Sequence, residues 1–172
     1  QQALKNQWEI DHITANLTAI RKLQPVLRKG QWQVTVALHK DHISASHKLI
    51  DIWPGLHEDG IYGLAIDLGS TTVAMHLTHL ETGEAVASSG IMNPQIRFGE
   101  DLMSRVSYVM MNPGGDAEMT SAVREAINEL TQKIAIDAAI DPALILEVVF
   151  VCNPVMHHLS LIHISEPTRH TR

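Results

Sequence analysis

Asp67, Gly69, Ser70, Thr71 and Thr72 bring a carboxylate, a residue without a side chain and three hydroxyls into one short stretch. Apolar runs flank it, Gly63-Leu64-Ala65-Ile66 before and Val73-Ala74 after. The pattern predicts a strand, a tight turn and a returning strand. Such a turn suits the phosphates of a nucleotide. Gly69 lets the backbone approach closely because it has no Cβ. Neighbouring N–H groups and hydroxyls can donate to phosphate oxygens, and Asp67 can hold a hydrated Mg²⁺. No lysine follows the glycine as in a Walker A loop, and no G-x-G-x-x-G occurs in the chain. Asp-x-Gly-Ser between two strands is also an ordinary hairpin turn. The local sequence leaves both readings open.

The elements that would position this turn follow from composition and period. The 172 residues suit one domain or one and a half, and 45% apolar content supports a core. With only 4% aromatics that core must be aliphatic. A net charge of −6 without a basic run argues against nucleic acid and against an anionic membrane surface. No apolar run approaches the roughly 18–20 residues that span a bilayer. No signal-peptide pattern is visible, so a cytoplasmic location is the expectation. A single cysteine, Cys152, excludes an internal disulfide framework and any all-cysteine metal or cluster site within the chain.

Residues 12–29 read as a helix with Asp11 as N-cap and Gly30 as its close, although Pro25 should kink or end it near Gln24. Trp32 to Leu38 alternate as a half-buried strand, Lys40-Asp41 fits a hairpin turn, and residues 42–50 would return. A linker from Trp53 to Gly60 closes this small α+β unit, residues 1–60. Beyond it, Tyr62–Leu68, Thr72–Leu80 and Glu84–Ser89 read as an antiparallel meander. A loop over Ile91–Arg97 leads to helices from Phe98 to Met110 and from Asp116 to Ala139, the second with an apolar stripe from Met119 to Ile134. Ile145–Val151, a near-continuous β-branched run, reads as a fully buried strand.

The order β-β-β-α-α-β, with a phosphate turn between the first two strands, resembles the opening of an actin/sugar-kinase/Hsp70-like (ribonuclease H-like) α/β domain. Four stretches narrow the resemblance: residues 63–74, Leu80-Glu81-Thr82-Gly83-Glu84, Asn93 to Asp101 with Ser104-Arg105, and Val151-Cys152-Asn153-Pro154-Val155-Met156-His157-His158. Together they are similar to the reductive activators of corrinoid proteins, most closely over residues 63–158. Cys152 departs from the glycine typical of that family.

The resemblance implies ATP-dependent reduction of a corrinoid protein from Co(II) to Co(I), with electrons from a [2Fe–2S] domain outside this chain. Asp67 would be the catalytic and Mg²⁺-orienting carboxylate, acting through water. Gly69, Ser70, Thr71 and Thr72 would contact the ATP phosphates. Residues 1–60 would belong to the linker and middle domain, and residues 61–158 to the first portion of the ATPase domain. Residues 159–172 read like a translated library adapter and are set apart as non-native. The chain is therefore expected to be an inactive piece of an ATPase. A corrinoid protein is the expected partner, and a homodimer stays open.

A sugar-kinase-type phosphotransferase, or a non-catalytic module in which the nucleotide gates partner binding, would share the Asp67 turn. Arg97, Glu100, Asp101 and Arg105 stand at a helix entrance. A structural role there competes with partner contact or nucleotide coupling. His157-His158 lacks partners at ligand spacing for a metal, and Cys152 reads as an inert buried thiol.

Overall fold

The computed structural model describes residues 2–10, 12–40 and 46–161. The chain divides into two compact units, Gln1–Asp59 and Gly60–Arg172.

In the first unit, α1 (Gln2–Trp8) precedes β1 (Ile13–Ala15), α2 (Leu17–Lys29), β2 (Val34–Lys40) and β3 (His47–Pro54). The sheet order is β1-β3-β2, with β1 parallel and β2 antiparallel to β3. The expected helix over residues 12–29 is thus corrected at its start. Ile13 and Thr14 are β-branched, find a partner strand at His47–Lys48, and extend rather than coil. The helix begins after Asn16, whose side chain accepts from the Ala19 N–H at 2.7 Å. Asp11 lies outside the described residues.

Pro25 does not end the helix. It sits on an exposed position of α2, where the carbonyl it leaves unbonded can face water. Gly30 closes the helix by donating to the Val26 carbonyl at 2.9 Å, and a Cβ there would lie 2.2 Å from the Gln33 carbonyl oxygen. The returning strand lies at His47–Pro54, later than residues 42–50, and Asp41 is outside the described residues. Its buried Asp51 receives both bonds of the Lys22 ammonium at 2.9 Å.

The second unit starts with β4 (Tyr62–Leu68), β5 (Thr72–His79) and β6 (Ala85–Met92). A 3₁₀ turn (Pro94–Phe98) leads into α3 (Leu102–Met111) and α4 (Gly115–Asp137). A second 3₁₀ turn (Pro142–Leu144), β7 (Ile145–Cys152) and α5 (Pro154–Ser160) follow. The sheet runs β6-β5-β4-β7. The first three strands are antiparallel, and β7 returns parallel to β4 with Ile66 beside Phe150. The alternation of the strands sorts the two faces. Leu64, Ile66, Leu68, Val73, Met75 and Leu77 pack under Val123, Leu130 and Ile134 of α4 and Met156 of α5. Ala65, Asp67, Thr72, His76, Ser88 and Met92 lie exposed on the other face.

Two expectations need correction here. The β7 run is not fully buried: Val148, Val149, Phe150 and Val151 are 37–64% exposed. Among the described residues β7 is an edge strand with β4 on one side only, so its apolar run meets no second neighbour. After Cys152 no element was expected, yet α5 forms. Its signals are plain in hindsight, with Asn153 accepting from the Met156 N–H at 2.8 Å and Pro154 in the first turn. Leu159 and Ser160, the first residues of the stretch set apart above, are buried at the end of α5, and 162–172 lie outside the described residues. No helix among the described residues is long and apolar enough to cross a membrane.

Leu77 has no exposed surface and sits in the middle of this aliphatic core. Leu77→Ala is expected to cost about 2–5 kcal/mol through lost burial and a residual cavity, read as a lower urea midpoint. An unchanged midpoint would count against a single packed core beneath β5.

Candidate functional site

Seven-residue β4 and eight-residue β5 pair through Leu68 and Val73, which leaves Gly69, Ser70, Thr71 and the start of Thr72 to make the bend. The Gly69 N–H closes it on the Thr72 carbonyl at 3.0 Å. A Cβ on Gly69 would lie 2.8 Å from that same carbonyl oxygen, so the bend as built needs glycine.

The underside of the bend is held by the segment that follows β6. Asn93 Nδ2 donates to the Gly69 carbonyl at 2.8 Å, and the Asn93 N–H donates to the Thr71 carbonyl at 2.7 Å. Between them, Arg105 Nη2 donates to the Ser70 carbonyl at 2.6 Å. Arg105 also donates from Nε to the Gly99 carbonyl at 2.9 Å and from Nη1 toward Met156 Sδ at 3.5 Å. Asn93 and Arg105 are wholly buried. No carboxylate reaches within ion-pair distance of Arg105 among the described residues. Burial draws its pKa below the usual guanidinium value, and Asp101 opposes that pull. The guanidinium still carries its charge at any ordinary pH.

The outer side of the bend is free by contrast. No hydrogen-bond acceptor meets the N–H groups of Ser70 and Thr71 among the described residues, and none of the three hydroxyls is engaged. Among the described residues the Asp67 carboxylate also has no hydrogen-bond partner. It stands exposed on the open face of the sheet, between Ala74 of β5 and Val151 of β7 in register. The structure therefore gathers Asp67, Gly69, Ser70, Thr71 and Thr72 at one end of the β4–β5 hairpin, with Asp67 outside the core.

The other candidates fall elsewhere. Asp101 caps α3, accepting from the Ser104 N–H at 2.7 Å and the Ser104 hydroxyl at 2.9 Å. Arg97 lies over the Phe98 ring at 4.7 Å, and Glu100 is exposed. His157 and His158 are exposed on α5, with their rings edge to face. Cys152 is half-buried at the end of β7 rather than enclosed. Among the described residues no three His, Cys, Asp or Glu side chains converge as a ligand set.

Sequence reasoning named Arg105 without its task and passed over Asn93 as a site residue. The signal available was the lone arginine in the otherwise uncharged α3 segment Leu102–Met111. The described concavities do not enclose the bend. One of about 320 Å³ is lined by Lys29–Gln31 and Pro54–Gly55, and one of about 200 Å³ lies by Gly63–Ala65, Thr78 and Glu147.

Residues 62–168 match the family described as the RACo middle region, and residues 1–59 match the RACo linker region. The chain belongs to the RACo family of corrinoid reductive activators. A curated relative, the corrinoid activation enzyme RamQ of Eubacterium limosum, is 32% identical over 120 residues, which are 69% of this chain and 20% of that protein. A solved structure, a reductive activator for corrinoid, iron–sulfur protein, superposes with a TM-score of 0.78 at 30% identity. That match covers 92% of this chain and 25% of the other. The chain thus spans about a fifth to a quarter of the length of these RACo relatives.

The cap on α3 titrates. The Ser104 N–H and then its hydroxyl hold the Asp101 carboxyl below 3.8, with Arg105 adding a weaker attraction. A carboxylate depressed in the folded state contributes stability that is complete above its unfolded value and is lost as pH falls through its folded one. Asp101→Asn, which caps without titrating, is expected to lose less stability than the wild type between about pH 5 and pH 2. Urea midpoints across that range check it, and parallel curves for the two proteins would refute it.

Proposed function

We propose that this chain carries the phosphate-binding turn of an ATP-dependent reductive activator of corrinoid proteins. The observation that supports the reading best is the polarity of the bend. The Gly69, Ser70 and Thr71 carbonyls are bound from beneath by buried Asn93 and Arg105, while the Ser70 and Thr71 N–H groups and the three hydroxyls meet no partner among the described residues. Such a surface is rich in free donors, backbone N–H groups and hydroxyls together, which suits the oxygens of a phosphate.

On this reading Gly69 admits the nucleotide's phosphate oxygens close to the backbone, and Ser70, Thr71 and Thr72 donate to them. Asp67 stands free on the neighbouring strand to accept from water on Mg²⁺. Bound MgATP would supply the free energy for an uphill electron transfer from a [2Fe–2S] domain outside this chain to Co(II) of the corrinoid partner. The residues here need only orient and neutralise, since phosphoryl transfer depends on positioning and charge rather than on a covalent nucleophile. The β-β-β-α-α-β order around the bend is in keeping with the opening half of an actin/sugar-kinase/Hsp70-like domain. The other wall of the cleft would come from the rest of that domain. Without it the phosphates would sit in water, where each contact is weak.

Asp67→Ala in the full-length protein is expected to lower ATP hydrolysis by ~10²-fold, the scale of one lost electrostatic contributor. Stimulation of hydrolysis by added corrinoid protein should fall in parallel. Wild-type turnover in the variant would end the role assigned to Asp67.

A further inference from the structure

We propose that Asn93 and Arg105 are positioning residues that aim the Ser70 and Thr71 N–H groups at the nucleotide's phosphates. This rests on reading the bend as the ATP phosphate turn.

The geometry follows from the peptide bond. A trans peptide is planar, and its C=O and N–H point in opposite directions. The Gly69 carbonyl shares a peptide plane with the Ser70 N–H, and the Ser70 carbonyl shares one with the Thr71 N–H. Asn93 Nδ2 pulls the first carbonyl inward at 2.8 Å, so the Ser70 N–H must face out. Arg105 Nη2 pulls the second inward at 2.6 Å, so the Thr71 N–H must face out. The Asn93 N–H on the Thr71 carbonyl completes the set.

Arg105 adds a second effect. It is a wholly buried cation with no carboxylate in ion-pair range among the described residues, held by two carbonyls and a thioether. An uncompensated buried charge is costly. Its position directly beneath the bend lends positive potential to the surface above, and an anion there supplies the missing counter-charge. Neither residue touches the nucleotide on this account; both act through the backbone of the turn.

The test uses the full-length protein and measures dissociation constants for MgATP and for adenosine, which lacks phosphates. Arg105→Lys keeps the charge but has no planar fork to span Gly99, Ser70 and Met156. Asn93→Asp keeps the oxygen that accepts from the Gln95 N–H at 2.9 Å and loses the donor to Gly69. Both variants are expected to weaken MgATP roughly tenfold or more while adenosine stays within about twofold. Equal weakening of both ligands, or unchanged MgATP binding in a variant that melts cooperatively, would overturn the positioning role.

A wild-type measurement covers the case in which a variant fails to fold. MgATP, but not adenosine, should slow hydrogen exchange at the Ser70 and Thr71 amides, and no slowing in a protein that binds MgATP would overturn the proposal. A wild-type protein that binds no MgATP at all would instead defeat the nucleotide reading of the bend.

Discussion

The guanidinium of Arg105 is the joint on which the second unit turns. Its three nitrogens reach the β4–β5 bend, the loop before α3 and the methionine of α5. Three pieces of chain distant in sequence are thereby fixed to one rigid plane. A lysine could not do this, because its three donors sit on one rotatable nitrogen and not on a rigid planar fork. No carboxylate among the described residues neutralises the charge, so the backbone carbonyls must carry the solvation that water would give. In return, the bend is oriented by hydrogen bonds rather than by its own turn chemistry alone.

The sheet divides labour between its faces. One face is buried beneath α4 and α5 and supplies cohesion through aliphatic side chains. The other carries Asp67, Thr72 and His76 in the open. Period-two alternation assigns each residue of β4 and β5 to one role or the other, so a single-residue slip would bury the Asp67 carboxylate and expose Ile66. The register Asp67 to Ala74 keeps the carboxylate in the open as well as the packing in place.

Much of this was legible from residue types. The β4 boundaries and the bend were readable because alternation, a glycine and three hydroxyls coincide in one place. The long α4, 23 residues, was readable because its apolar stripe repeats at helical spacing from Met119 to Ile134. What escaped depended on partners distant in sequence. Ile13–Ala15 is extended only because β3 lies alongside, and nothing local says so. The exposure of β7 depends on which strands flank it, not on its own β-branched composition. Arg105 was named at the helix entrance without its task, because burial of a charge is a property of the assembled unit. The α5 helix was a different kind of miss, since Asn153 and Pro154 spelled out its start.

The parallel pairing of β4 with β7 sets an order of assembly. Ile66 meets Phe150 across most of the second unit's sequence, whereas β4, β5 and β6 meet through short turns. Closing the long loop costs entropy before its contacts repay it, so the three-stranded meander can form early and the fourth strand must arrive late. Met156, one of the three groups that seat Arg105, lies beyond that strand. On a growing polypeptide the bend would thus exist as a shape well before it is locked. Its final rigidity would be among the last features to mature.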